Sequence, residues 1–212
     1  MPPTEPALIA AYADDPLLQV WRQQAATLPD AELREKVLTN APPTEAGLLD
    51  VGCPDPSHFE NCRTILDFGC GLGRNLRRLL ALAPDAQVFL YDTPEMLRRL
   101  GGVLERNFTA AERARLHRID DLALLKDGEL DAVFCCTVLQ HISPNALLDL
   151  LTEFQRLAPR LIVYGRRWND ALGEGSSVWE LIARAGWRVS RCDADFGLRC
   201  EREQHNWVVY TL

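Results

Sequence analysis

Asp67-x-Gly69-x-Gly71-x-Gly73 is the stretch of this sequence whose residue types and spacing imply chemistry most directly. Glycines at alternate positions let a chain turn tightly and bring its backbone close to a ligand, where any Cβ would collide. A helix beginning just beyond them points unpaired N–H groups at the same ligand. Asp67, at the mouth of the turn, adds a carboxylate to that crevice. A second acid, Asp92, ends the next apolar run, where a carboxylate can accept both hydroxyl hydrogens of a ribose. His141 is a candidate base, since an imidazole with an ordinary pKa near neutrality needs only a small shift to take a proton from a hydroxyl or amine.

The elements that must position these residues are readable from hydrophobic periodicity. Residues Arg63 to Phe68 read as a buried strand, and Leu76, Leu79, Leu80 and Ala83 recur at helical spacing after the glycines. Ala86 to Asp92 reads as a second strand, followed by Thr93 as a helix cap and Pro94 at the first helical position. Arg115 to Leu122 alternates and ends in two acids, an outer strand solvated on one side. Leu130 to Ile142 holds a fourth strand that runs into His141, and Ser143-Pro144 opens a helix with Leu147, Leu148, Leu151, Phe154 and Leu157 on one face. Arg160 to Gly165 is a fifth strand, and Ser176 to Ala185 a helix closed by Gly186. Trp187 to Cys192 and Asn206 to Tyr210 are the last two strands, joined by a polar connection that carries Glu201 and His205. Upstream, Ala7 to Leu38 shows helical patterns, with Asp15-Pro16 as a start signal, and Ala41 to Asn61 is a loop-rich connection.

The glycine turn resembles motif I of the class I S-adenosylmethionine (SAM) dependent methyltransferases, whose signature is acidic-x-Gly-x-Gly-x-Gly. A dinucleotide fingerprint needs Gly-x-Gly-x-x-Gly, and here that last position is Arg74. Thr93 to Leu97 resembles the family's second motif, and Asp131-Ala132-Val133 through Val138-Leu139-Gln140-His141 its fourth-strand motif. The resemblance implies an α/β fold: a seven-stranded, mostly parallel sheet with helices on both faces, closed by an antiparallel strand pair and preceded by an N-terminal helical lid. It divides the chain into residues 1–61, the helical segment and connection, and residues 62–212, the SAM-binding domain.

For the site, the resemblance implies SAM as cofactor. Asp67, Gly69, Cys70, Gly71, Gly73 and Asn75 would hold its amino-acid end and Asp92 its ribose, with Thr93 capping the helix beside it and Met96 or its neighbour against the adenine face. Asp120 or Asp121, with the backbone of Leu122, would read the adenine edge. Cys136, Thr137 and Val138 would flank the methionine part. Gln140 and His141 would face the methyl group and acceptor, with His141 either the base or a packed turn residue. Arg166, Arg167 and Trp168 follow the fifth strand where the family places acceptor recognition, and a solvated loop is the other reading. Tyr12 and Trp21 either line a pocket or pack their helix.

A chain of 212 residues with 47% hydrophobic composition suits one sizeable α/β domain. The net charge of −7 argues against binding by phosphate neutralisation, which needs a clustered basic face. Neither a signal-peptide pattern nor a membrane-spanning apolar run is present, so a cytoplasmic protein is expected. The seven cysteines read as reduced thiols; Cys53, His58 and Cys62 match no common zinc spacing, and no metal is expected. The function expected is methyl transfer to a small-molecule acceptor, oxygen ahead of nitrogen or carbon, with no membrane partner. A non-catalytic SAM-binding subunit of a partner complex and an RNA or protein methyltransferase are the rival readings.

Overall fold

The computed structural model describes residues 16–29, 32, 56–166, 177–193 and 205–212. Seven strands form one sheet in the order β3-β2-β1-β4-β5-β7-β6. They are β1 (Thr64–Phe68), β2 (Gln87–Tyr91), β3 (Leu116–Ile119), β4 (Ala132–Cys136), β5 (Arg160–Arg166), β6 (Arg188–Asp193) and β7 (His205–Thr211). The first five pair in parallel, and β7 lies antiparallel between β5 and β6. The sheet is therefore seven-stranded with five parallel strands. The chain reverses out of the parallel pattern only at the β7 edge.

Period-two alternation divides the core into two layers. On one face Ile65, Val88, Leu90, Ala132, Phe134 and Ile162 pack under helices α2 (Leu76–Leu82) and α3 (Pro94–Asn107). On the other, Leu66, Phe68, Val133, Cys135, Leu161 and Val163 pack under α5 (Pro144–Leu157) and α6 (Val178–Arg184). β4 is buried along its whole length, as a central parallel strand must be. β3, at the sheet's edge, buries only Leu116 fully.

Local signals explain most boundaries. Thr93 caps α3 by accepting from the Met96 N–H, with Pro94 at the first position. Ser177 caps α6, and Gly186, at φ +94°, follows its end. A short helix absent from the periodicity reading, α4 (Ala110–Arg113), forms because Thr109 and Glu112 make a reciprocal capping box. The buried stripe of α5 runs through Leu147, Leu150, Leu151, Phe154 and Leu157, so Leu150 takes the place expected of Leu148, which sits at the margin. Asp131 stitches the start of β4 to that of β1, accepting from the Arg63 and Thr64 N–H groups at 2.7 and 2.9 Å.

The N-terminal helix α1 (Pro16–Thr27) begins at the expected proline and packs on the start of α3. Ala25 and Leu28 cover Met96, and Arg22 pairs with Glu95 at 3.3 Å. Tyr12, Cys53, Arg167, Trp168 and Glu201 lie outside the described residues, as do the side chains of Trp21, Arg166 and His205.

Candidate functional site

β1 ends at Phe68 and the chain turns through Gly69, Gly71 and Gly73 at φ +73°, +56° and +78°. These are left-handed conformations that side chains resist. Space is refused as well: a Cβ on Gly69 would run into both γ-methyls of Val138, and one on Gly73 would lie 2.8 Å from a Leu76 methyl. The turn is held against the end of β2, because Gly69 and Cys70 both donate N–H groups to the Tyr91 carbonyl at 2.8 and 3.2 Å.

Asp92 follows directly and joins the two motifs. Its Oδ2 accepts the Gly71 N–H at 2.7 Å and its Oδ1 accepts the Thr93 N–H at 2.7 Å. Burial raises its carboxyl to about 6, and these hydrogen bonds pull in the opposite direction. Asp67 is only 3% exposed, and no described residue donates a hydrogen bond to its carboxylate. Burial, and then the charge of Asp92, push it up to about 8. The Cys70 thiol is raised by burial and by the same two acids, so it is a neutral wall.

At the neighbouring edge, Ile119 of β3 is in register with Tyr91. Burial, and then the charges of Asp121, Asp92 and Asp120, lift the Tyr91 hydroxyl to about 12. Asp121 accepts the Ala123 N–H at 2.9 Å and caps the single 3-10 turn Leu122–Leu124, whereas Asp120 is exposed. Leu122 is buried beneath them.

Beyond β4 the chain is strained. Thr137 has φ +57°, an uncommon conformation for a β-branched residue. It is held there by its N–H on the Tyr164 carbonyl at 2.6 Å and its hydroxyl on the Cys136 carbonyl at 2.7 Å. Strain of this kind gathers at ligand sites. Val138 then presses on Gly69, and Leu139–His141 makes one 3-10 turn. Gln140 is 1% exposed, with its Nε2 3.3 Å from Nε2 of the half-buried His141. Gln140 fits because residue 165 is glycine, where a Cβ would sit 2.9 Å from Oε1. Arg74, just past the turn, is close enough to Cys136 and Tyr164 to interact electrostatically with both.

The structure thus gathers Asp67, Gly69, Cys70, Gly71, Gly73, Asn75, Asp92, Thr93, Asp120, Asp121, Leu122, Cys136, Thr137, Val138, Gln140 and His141 at the carboxyl edge of β1 to β4. Met96 lies under α1 beside Leu72 of the glycine turn. Arg166 is the last residue of β5, in register with His205. Tyr91, Gly165 and Arg74 also build this edge and were not singled out from sequence as site residues. An isolated glycine in a strand pattern was the available signal for Gly165. Among the described residues, no three His, Cys, Asp or Glu side chains are grouped to hold a metal, and no helix is long and apolar enough to cross a membrane.

Residues 65–159 match the family model described as a methyltransferase domain. A comparison with curated protein sequences finds no match. Among solved structures, an O-methyltransferase family protein from Burkholderia thailandensis superposes with a TM-score of 0.54 at 13% identity, over 73% of this chain and 52% of the other. The mitomycin 7-O-methyltransferase MmcR gives 0.61 at 18%, over 90% and 60%. A SAM-dependent methyltransferase from Aquifex aeolicus gives 0.57 at 19%, over 83% and 96%. The chain therefore spans about half to three fifths of the two larger proteins, and at these identities the likeness is one of fold. The family model spans the glycine turn, β4 and α5, so this stretch of the chain is similar to a methyltransferase domain.

Proposed function

We propose that this chain transfers a methyl group from SAM to a small-molecule acceptor, with oxygen the preferred nucleophile. The observation that carries the reading is the bond from the Gly71 N–H to Asp92, which locks the glycine turn and the sugar-binding acid into one cradle. The residues fit the cofactor. The positive-φ glycines keep the turn tight, with Cβ atoms excluded at Gly69 and Gly73 by Val138 and Leu76, and Asp67 is a buried carboxylate that a ligand ammonium would relieve. Beside its bonds from Gly71 and Thr93, the Asp92 carboxylate keeps acceptor capacity for a ribose hydroxyl. Asp121, or Asp120 beside it, accepts from the adenine amine, and the Leu122 backbone reads the ring. When bound, SAM supplies an intrinsically activated methyl group, so the protein's share is alignment, water exclusion and proton removal. The α1 helix, fastened by Arg22–Glu95 over Met96, acts as the lid.

His141 is the base in this reading, and Gln140 acts through it. The Gln140 amide nitrogen lies 3.3 Å from Nε2 of the ring and orients the imidazole. The acceptor lies between His141 and the end of β5, and the residue types Arg166, Arg167 and Trp168 in the sequence there favour an anionic or planar molecule. The names of two of the similar structures favour oxygen. The test is incubation with methyl-labelled SAM and a metabolite extract: a labelled small product is expected, and His141→Ala should bind S-adenosylhomocysteine normally yet label about 100-fold more slowly. Thermal protection by cofactor with no label in any fraction would leave only a binding module.

A further inference from the structure

Arg156, in the last turn of α5, lies 34 positions beyond Leu122, yet it grips the connection that carries Asp121 and Leu122. Its Nη1 donates to the Leu125 carbonyl at 2.9 Å and to Asp127 at 2.8 Å, and its Nη2 to the Leu122 carbonyl at 3.3 Å. Glu153, one turn earlier, orients the guanidinium by accepting from Nε at 3.0 and 3.1 Å and from Nη2. That uses all five N–H donors of the side chain. The backbone of the same segment adds two more ties, Gly128 N–H to the Arg156 carbonyl at 2.8 Å and Leu130 N–H to that of Leu157 at 3.1 Å.

This much charge-assisted bonding is not needed to bury the connection, since Leu122, Leu125 and Leu130 already anchor it in the core. What the hydrogen bonds add is direction. A hydrophobic anchor lets a short loop rotate, whereas a planar fork on two carbonyls fixes the Leu122–Ala123 and Leu125–Lys126 peptide planes. The Asp121 cap and the Leu122 backbone are those planes' immediate neighbours.

We propose that Arg156 is a positioning residue for adenine recognition, holding Asp121 and the Leu122 backbone in the geometry that tells an adenine amine from a carbonyl. The proposal rests on the cofactor reading above. Lysine keeps the charge but offers three donors from a single point, so Arg156→Lys cannot close the fork. The experiment measures dissociation constants of S-adenosylhomocysteine and S-inosylhomocysteine, in which the amine is replaced by a carbonyl, for wild type, Arg156→Lys, Arg156→Gln and Glu153→Gln, each checked by its melting transition. Wild type is expected to prefer the adenosyl compound. The Arg156 variants should bind it about tenfold more weakly and lose most of the preference, the loss expected of about one charge-assisted hydrogen bond. Glu153→Gln should show the same change in smaller measure, and it carries the test if the Arg156 variants fail to fold. Variants that melt lower but keep the wild-type affinity and preference overturn the positioning role alone. A wild type that binds neither compound overturns the cofactor reading and this proposal with it.

Discussion

Asp67→Asn removes an ionisation and leaves the shape of the side chain almost unchanged. In the folded chain the Asp67 carboxyl is held at about 8, against an ordinary value of 3.8, first by burial and then by Asp92. The folded state therefore keeps a proton that the unfolded chain has released. Because the folded value is raised, wild-type stability falls as pH climbs from about 4, and the penalty stops growing once the folded group ionises near pH 8. Each unit corresponds to about 1.4 kcal/mol, so at pH 7 the penalty reaches up to about 4 kcal/mol, and at pH 5 less than about 2. Asparagine, neutral at every pH, escapes it. The ligand-free variant is expected to melt up to about 10 °C above wild type at pH 7, with a gain that shrinks towards pH 5. It should also bind S-adenosylhomocysteine more weakly, since the carboxylate that meets the ligand's ammonium is gone. Thermal and urea unfolding of both proteins at pH 5, 7 and 8.5 reads the difference. A variant no more stable than wild type at pH 7, or a gain independent of pH, refutes the reasoning.

Three further outcomes follow from the same geometry. Gly69→Ala forces a side chain into a left-handed conformation and against Val138, and is expected to lose about 2–4 kcal/mol in urea unfolding together with cofactor binding. Asp131→Ala strips the acceptor from the Arg63 and Thr64 N–H groups and should lower stability by about 1–3 kcal/mol at pH 7. Burial works to raise the Asp131 carboxyl and the N–H groups more than offset it, so its folded value is lowered; that stabilisation is present above about pH 4 and disappears as pH falls through the folded value. Glu95→Ala cuts the pair between α3 and α1, a partly exposed contact worth under about 1 kcal/mol. Its effect should appear as faster release of S-adenosylhomocysteine in stopped-flow measurements rather than as a lower melting temperature.

The parallel strands were legible because β1, β2, β4 and β5 are short apolar runs bounded by glycine, proline and acids, and the caps at Thr93 and Gly186 carry their own signals. The insertion of β7 between β5 and β6 was not, since strand order at an antiparallel edge depends on tertiary pairing that no local pattern encodes. In the site, the spacing of Asp67, the glycines and Asp92 reflects one strand-helix-strand unit and can be read directly. The bond between Asp92 and Gly71 cannot, because it arises only when β1 and β2 lie side by side. Gln140, polar and beside His141, reads as a rim residue; its burial follows from the space left by Gly165 across the sheet. Arg156 reads like any basic residue ending a helix, because the carbonyls it grips lie some 31 and 34 positions away. Such contacts leave no trace in side-chain pattern.

The central claim is that the glycine turn and Asp92 form one binding unit for an adenosyl ligand. Calorimetric titration of the purified chain with S-adenosylhomocysteine, alongside Asp92→Ala, tests it most directly. Saturable uptake at one site by wild type, weakened about 100-fold or more in the variant, is the predicted result. No uptake by wild type, or equal affinity in the two proteins, would contradict it.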